Sequence, residues 1–280
     1  MSHDPDELST LYEELIDTYE LEWDRHGHRS LHLAYYDDET TEPAAAAMNT
    51  MRLLSETAGI TSDDRVLNIG CGAGEDAIWN ARAHDATVHG VDIGERQIEL
   101  ARENAEIHDV ADRVTFAQDD FHELVTVSDN SVTVVWGLEA LSHSPDRLRV
   151  LEQAKRVLVS GGRVAFLDIF LRTETDDDRV AEINEGLGLH LGSIDAFETA
   201  LRESGFVNIS ISEKTEGVTP ATKQRRRSAR IVSPVGKALR RIGINRFSEA
   251  QLGAFRASSL IHELISEELL GYYLITAELP

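Results

Sequence analysis

Short apolar runs alternate with amphipathic stretches along most of this 280-residue chain. Val66, Leu67 and Ile69 make one run. Residues 88–91 make another, His89 apart, and 114–117, 132–136 and 163–169 follow. Runs this short and apolar suit strands buried on both faces of a parallel sheet. Segments of helical period lie between them. Residues 43–58 open on Pro43 and stop at Gly59, the expected start and end of a helix. Ala77, Ile78 and Ala81 share one face of a helix running to about His84. Ile98, Ala101 and Ala105 do so over 95–108, and 145–158 is a further helix. Gly161 and Gly162 then read as a turn into the strand over 163–169. Strand alternating with helix predicts an α/β fold: a doubly wound, mostly parallel sheet with helices on both faces.

The ends of the chain differ in character. Residues 6–22 carry Leu8, Leu11, Leu15 and Tyr19 on one helical stripe. Residues 28–36 are polar and aromatic, with no sustained period. Residues 176–178, all Asp, read as a polar loop. A helix over 194–204 ends at Gly205, and Val207, Ile209 and Ile211 alternate through a strand over 206–213. Residues 271–279 read as a final strand. The long stretch between those two strands is more than a hairpin needs, and predicts an inserted helical cap over 215–270.

The first strand runs straight into Gly70, Gly72 and Gly74. Glycines at alternate positions clear one wall of a tight turn, so that the backbone approaches a ligand closely. Strand, glycine turn and helix start together make a recurrent nucleotide pocket. Asp92 closes the second strand 22 residues after Gly70, the place of an acid that takes ribose hydroxyls in a βαβ unit. Position 75 is Glu, so the third glycine of the dinucleotide fingerprint is missing. A pyrophosphate here would meet Glu75 and Asp76 at the helix start. An adenosine-bearing ligand without phosphates fits better.

This stretch resembles motif I of class I S-adenosylmethionine-dependent methyltransferases. Residues 113–121 resemble the third strand of that family with its adenine-binding acid, which places Asp120 and Phe121 at the adenine. Residues 136–146 resemble its fourth strand and following loop, and 157–166 its glycine turn into the fifth strand. The nearest group is the small-molecule one that includes sterol, tocopherol, quinone and sarcosine/dimethylglycine methyltransferases. The resemblance implies a Rossmann-like, seven-stranded methyltransferase fold with the last strand antiparallel. It implies S-adenosyl-L-methionine as cofactor, held by Gly70, Cys71, Gly72, Gly74, Asp92, Ile93, Gln97, Asp120, Phe121, Gly137 and Leu138. It also implies an N-terminal lid, in which Tyr35 or Tyr36 covers the sulfonium, where an aromatic face favours a cation; plain packing of the two rings is the alternative. One departure is Asn68, where the family usually has Asp or Glu. Domain boundaries follow: a lid over 1–42, the core over 43–214 and 271–280, and the cap over 215–270.

A methyl on a positive sulfur is displaced in line, so the enzyme mainly aligns the partners and excludes water. A protonated nucleophile also needs a base. His143 is the candidate, because it lies after the fourth strand, where ligands bind in such sheets, and an unperturbed imidazole titrates near neutrality. Asp168, at the end of the fifth strand, is placed to orient it or to take a proton itself. A capping or packing role for His143 is the alternative. Glu139 reads equally as a buried hydrogen-bond partner or a contact to a substrate amine. A nicotinamide dehydrogenase and a non-catalytic cofactor-binding module remain as other readings.

Composition narrows the picture. Fifty acids against 27 Lys and Arg give a net charge of −23. Molar salt shortens the screening length to about 3 Å and removes most of the self-repulsion, so the expectation is a protein of a salty cytoplasm. Between Glu216 and Glu249 there is no acid, while Lys223, Arg225, Arg226, Arg227, Arg230, Lys237, Arg240, Arg241 and Arg246 give this stretch +9, leaving −32 on the rest. It predicts either charge pairing with the acidic body or a contact to an anionic or lipid-like acceptor or membrane surface. Nucleic acid is disfavoured, since high salt erases most phosphate-driven affinity. The start of the chain is acidic rather than signal-like, and no apolar run is long enough to span a bilayer, so a cytoplasmic protein is expected. The single Cys71 excludes an intramolecular disulfide and reads as a small residue that fits the turn. The histidines show no metal-ligand spacing, and no metal is expected.

Overall fold

The computed structural model describes Thr10, residues 32–241 and residues 247–280. Apart from Thr10, the helix expected over 6–22 lies outside the described residues, as do Arg246 and the side chains of Lys237, Arg240 and Arg241.

Seven strands form one sheet in the order β3-β2-β1-β4-β5-β7-β6. They are β1 (Arg65–Ile69), β2 (Thr87–Asp92), β3 (Val114–Gln118), β4 (Val132–Leu138), β5 (Leu158–Leu171), β6 (Val207–Glu213) and β7 (Leu270–Glu278). β1 to β5 are parallel, and β7 enters antiparallel between β5 and β6. The chain order reverses between β1 and β4, the point at which such sheets open a crevice for ligands.

The helices are α1 (Pro43–Ala58), α2 (Glu75–His84), α3 (Glu95–Ile107), α4 (Arg147–Val157), α5 (Asp178–Leu187), α6 (Ile194–Glu203), α7 (Thr215–Arg241) and α8 (Glu249–Ser266). Alternation along each strand sends its side chains to two cores. Val66, Val88, Val134 and Trp136 face α1, α2 and α3, and further along the sheet Leu167, Ile169 and Tyr272 share that core with α5, α7 and α8. Leu67, Ile69, Val135, Phe166 and Phe170 face α4 and α6. α1 starts at Pro43 and ends as expected on Gly59, at φ 63°, whose N–H bonds back to Ser55 and Glu56.

Two expectations are corrected. The Gly161-Gly162 pair does not turn the chain into a new strand. β5 is continuous from Leu158, and the glycines lie in a bulge where Val132 faces Leu158 but Val134 faces Arg163. The Asp run at 176–178 is not only loop. Asp177 caps α5 by accepting the Arg179 N–H, and Gly188 closes that helix at φ 62°.

The cap is the helical hairpin α7–α8, with Leu264 and Ile265 of α8 and Val218 of α7 buried on the α1 side of the sheet. Residues 32–37 cross beside it without regular structure. Their backbone is tied down on both sides: Tyr35 N–H donates to Ala46 O, and Tyr36 N–H donates to Gly217 O at 2.8 Å.

Candidate functional site

The turn after β1 is wound by its glycines. Gly70, Gly72 and Gly74 have φ of 64°, 50° and 82°. Gly70 is fixed by space as well, since a Cβ there would lie 2.8 Å from that of Ala140. Cys71, buried in the turn, donates its backbone N–H to Val91 O of the neighbouring β2. Asp92 closes the loop from the other side. Its Oδ2 accepts the Gly72 N–H and its Oδ1 the Gly94 N–H, each at 2.9 Å. Burial raises its pKa, and these N–H donors counter the rise. Each oxygen keeps a lone pair for a further donor.

Several buried polar atoms around this turn have no hydrogen-bond partner among the described residues: Gln97 Oε1, Asp76 Oδ1, and both side-chain polar atoms of Asn68. Native interiors rarely leave such groups unpaired, so they point to a ligand rich in donors and acceptors. Gln97 and Asp92 flank the glycine turn where ribose hydroxyls belong. Asn68 and Asp76 lie at the end of β1 and the start of α2, where an amino acid moiety belongs. Burial, followed by Glu75 and Glu139, pushes the Asp76 carboxyl well up, an environment that a cationic ligand relieves. These residues fit S-adenosylmethionine.

Asp119 holds the loop after β3: its oxygens accept the Val125 N–H and both the N–H and hydroxyl of Thr126. Asp120 is half-buried, accepts the His122 N–H at 2.8 Å and faces His122 Nδ1 at 2.7 Å. His122 Nε2 lies 2.8 Å from Ser144 Oγ. A carboxylate only accepts, so the proton sits on Nδ1, and Nε2 accepts the serine hydroxyl. This relay ties the loop after β3 to the loop after β4. Nothing in the local sequence around His122 signals it, since its partner Ser144 lies 22 residues away. Phe121 packs its ring 4.6 Å from that of His122, and the Ile93 carbonyl accepts from Gln118 Nε2. Gly137 and Leu138 end β4; a Cβ at Gly137 would lie 3.1 Å from both Ile69 and Phe166.

The loop after β4 holds a 3-10 turn, Leu141–His143. Asp168 supports it from β5: its Oδ2 accepts the Ser142 N–H at 3.0 Å and its Oδ1 the Ile169 N–H at 2.7 Å. The expected Asp168–His143 contact is therefore not made. His143 Nδ1 faces Gly188 O at 2.9 Å, which puts its proton on Nδ1. Burial lowers its pKa to about 4, so it does not titrate near neutrality as an unperturbed imidazole would.

Glu139 emerges as the hub of this region. It has φ 52°, a conformation that non-glycine residues seldom adopt outside functional or tightly constrained sites. Its Oε1 accepts the Leu33 N–H and the Tyr272 hydroxyl, both at 2.7 Å. Residues 32–37, β7 and the loop after β4 thus meet on one oxygen. From α7, Arg225 donates to His32 O at 3.2 Å. Tyr35 turns its ring toward Gly217 of the cap. Among the described residues there is no cluster of three or more His, Cys, Asp or Glu placed to hold a metal ion, and no helix long and apolar enough to cross a membrane.

Residues 60–203, just over half the chain, match the family model described as a methyltransferase domain. The chain belongs to the S-adenosylmethionine-dependent methyltransferases and transfers a methyl group to a small molecule. It is 38% identical over 285 aligned residues to the 27-O-demethylrifamycin SV methyltransferase of Amycolatopsis mediterranei (strain S699), an alignment that covers 99% of this chain and 98% of that protein. Its fold is that of the [4+2]-cyclase SpnF, with a TM-score of 0.83 at 21% identity over 100% of this chain and 98% of that one. The geranyl diphosphate C-methyltransferase of Streptomyces coelicolor A3(2), solved with Mg2+, geranyl-S-thiolodiphosphate and S-adenosyl-L-homocysteine, superposes with a TM-score of 0.74 at 18% identity over 92% and 91% of the chains. The nicotinamide and purely binding readings find no support in these likenesses.

Proposed function

We propose that the enzyme is an O-methyltransferase acting on a hydroxyl of a sizeable small molecule. The observation that carries this reading is the 38% identity to a 27-O-demethylrifamycin SV methyltransferase across 99% of the chain. That span takes in the lid over 1–42 and the cap over 215–270 as well as the core, so the acceptor-facing segments are part of the likeness. The test is incubation of the purified protein with the cofactor and 27-O-demethylrifamycin SV or simpler alcohols, with sarcosine alongside. A gain of one methyl on a hydroxyl compound supports the reading. Methylation of sarcosine alone overturns it.

In this reading the cofactor supplies an electrophilic methyl on sulfur, and the residues of the chain orient it. Asp92 and Gln97 take the ribose hydroxyls. Asp120 takes the adenine amine with Phe121 against the ring, and Ile93, Gly137 and Leu138 line the adenosine. Gly70, Cys71, Gly72 and Gly74 shape the floor, and Tyr35 and Tyr36 close over it. His143 is neutral at pH 7, with its Nδ1–H donating to Gly188 O, and it stands on the acceptor side of the loop after β4. Asp168 acts through the Ser142 backbone to hold that turn in place.

The basic stretch serves an anionic group on the acceptor or a lipid surface, by charge complementarity. The net charge of −23 fits a salty cytoplasm, and thermal melts in low and high potassium chloride test this: equal stability in both discards it.

A further inference from the structure

We propose that Glu139 is the group that takes the proton from the acceptor's hydroxyl, an assignment that rests on the O-methyltransferase reading above. Both hydrogen bonds to this carboxylate, from Leu33 N–H and from Tyr272 Oη, land on Oε1. Oε2 accepts none. The two halves of the carboxylate thus have separate tasks: Oε1 anchors the closed lid, and Oε2 stays available to a proton donor that enters the site.

Position supports the assignment. Glu139 follows β4 directly, and its N–H bonds to Leu167 O of β5, so its left-handed backbone is pinned at the opening of the crevice between β1 and β4. Ala140, next in the chain, stands against Gly70 of the cofactor turn. Glu139 is thus the chain neighbour of the residue that packs on the glycine turn.

The surroundings also suit a base. Burial raises the carboxyl to about 7, and Arg225 of α7 with the Leu33 and Tyr272 donors keeps it from rising further. The charged and titratable groups facing it are Tyr272 from β7, Arg225 from α7, Asp168 from β5 and Asp76 from α2. His32 of the lid reaches Asp76 at 3.9 Å. A base matched to the working pH accepts a proton most effectively. His143 titrates three pH units lower and is the weaker base at neutral pH.

The step balances. The acceptor oxygen bonds the methyl carbon as the carbon–sulfur bond breaks, and that bond's electron pair stays on sulfur. The hydroxyl proton passes to Glu139 Oε2, and from there to solvent when the lid opens.

The test compares the wild type with Glu139→Gln, His143→Gln and Arg225→Gln, using 27-O-demethylrifamycin SV or whichever alcohol is turned over. Glu139→Gln keeps an acceptor for Leu33 and Tyr272. It should lose about a hundredfold or more in kcat and lose the acidic limb of the kcat/KM profile near pH 7, with S-adenosylhomocysteine binding by calorimetry unchanged. Arg225→Gln removes a cation that lowers the Glu139 pKa and should move that limb to higher pH, a shift that a purely structural latch would not produce. An unaltered kcat in Glu139→Gln, or a limb that persists there and vanishes in His143→Gln, overturns the proposal. Carboxyl carbon NMR of glutamate-labelled protein provides a readout without turnover: a resonance titrating near pH 7 should be missing from Glu139→Gln, and its absence from the wild type also overturns the assignment. If only amines are methylated, the hydroxyl reading falls; a hydroxyl methylated equally by Glu139→Gln rejects the Glu139 assignment alone.

Discussion

Gly217 lies so close to Tyr35 that a Cβ at position 217 would stand 2.2 Å from Cε2 of the tyrosine ring. The same glycine accepts the Tyr36 N–H through its carbonyl. The first turn of α7 and residues 35–36 therefore interlock at one residue, where an added Cβ would press on the Tyr35 ring. Glycine inside a helix ordinarily costs about 1 kcal/mol relative to alanine, so this position gives up helix stability in exchange for contact.

Gly217→Ala should therefore act against propensity. The helix gains intrinsically while the lid is pushed off the cap. Hydrogen exchange at Tyr35 and Tyr36 should speed up, and KM for cofactor and acceptor should rise. Slower exchange there, with unchanged KM, would show that the ring moves aside without opening the lid.

Asp92→Ala removes a carboxylate that holds the Gly72 and Gly94 N–H groups as well as its proposed ribose contact. Hydrogen bonds to a charged acceptor contribute about 1.5–3 kcal/mol, so cofactor affinity should fall at least tenfold. Calorimetry checks this, and equal affinity in the variant would remove Asp92 from the site.

The sheet and the cofactor turn are legible in the chain because their signals are local: short apolar runs, alternate glycines and an acid one βαβ unit on. Even the cap shows itself as surplus length between two strands. The acceptor side is not legible in this way. Leu33 and Tyr272 reach Glu139 from 106 and 133 residues away, and no spacing rule connects them. Burial then reverses the relative standing of the two candidate bases. A histidine is pushed down to about 4 and a glutamate up to about 7, so residue type alone pointed to His143. Asp168 lies within β5, three residues before its end rather than at it, and it grips the backbone of the turn.

The raised carboxyl of Glu139 also predicts how stability varies with pH. Its folded pKa of about 7 lies above the ordinary glutamate value of 4.5, so the folded state holds the proton more tightly. That contribution is fully present below pH 4.5 and is lost as pH rises through 7. Glu139→Gln cannot lose it. The variant should melt close to the wild type at pH 4.5 and a few degrees higher at pH 8. Asp76, Asp92 and Asp168 are raised as well, so part of the downward slope should remain. Identical melting curves at pH 8 would show that Glu139 titrates as an ordinary surface acid.

The basic face of the cap separates into two groups. Arg226 pairs with Glu263 of α8 at 3.1 Å, and Arg225 reaches the lid backbone; these two hold the protein together. Lys223, Arg227 and Arg230 are exposed, and among the described residues no ion pair engages them. Ile231 and Val235, 67% and 50% exposed, follow them one helical turn apart. A face that combines basic with exposed aliphatic side chains suits an anionic, partly apolar partner. In molar salt such charges act only at contact range, about 3 Å, so they must meet their partner directly. Replacing Lys223, Arg227 and Arg230 together with Gln should leave the melting temperature unchanged while raising KM for an anionic acceptor or releasing the protein from anionic liposomes. Arg226→Gln should do the opposite, lowering stability by up to about 1 kcal/mol with no effect on liposome binding. If the triple variant melts lower, with unaltered kinetics and unaltered liposome binding, the cluster is internal charge pairing and no anionic partner is needed.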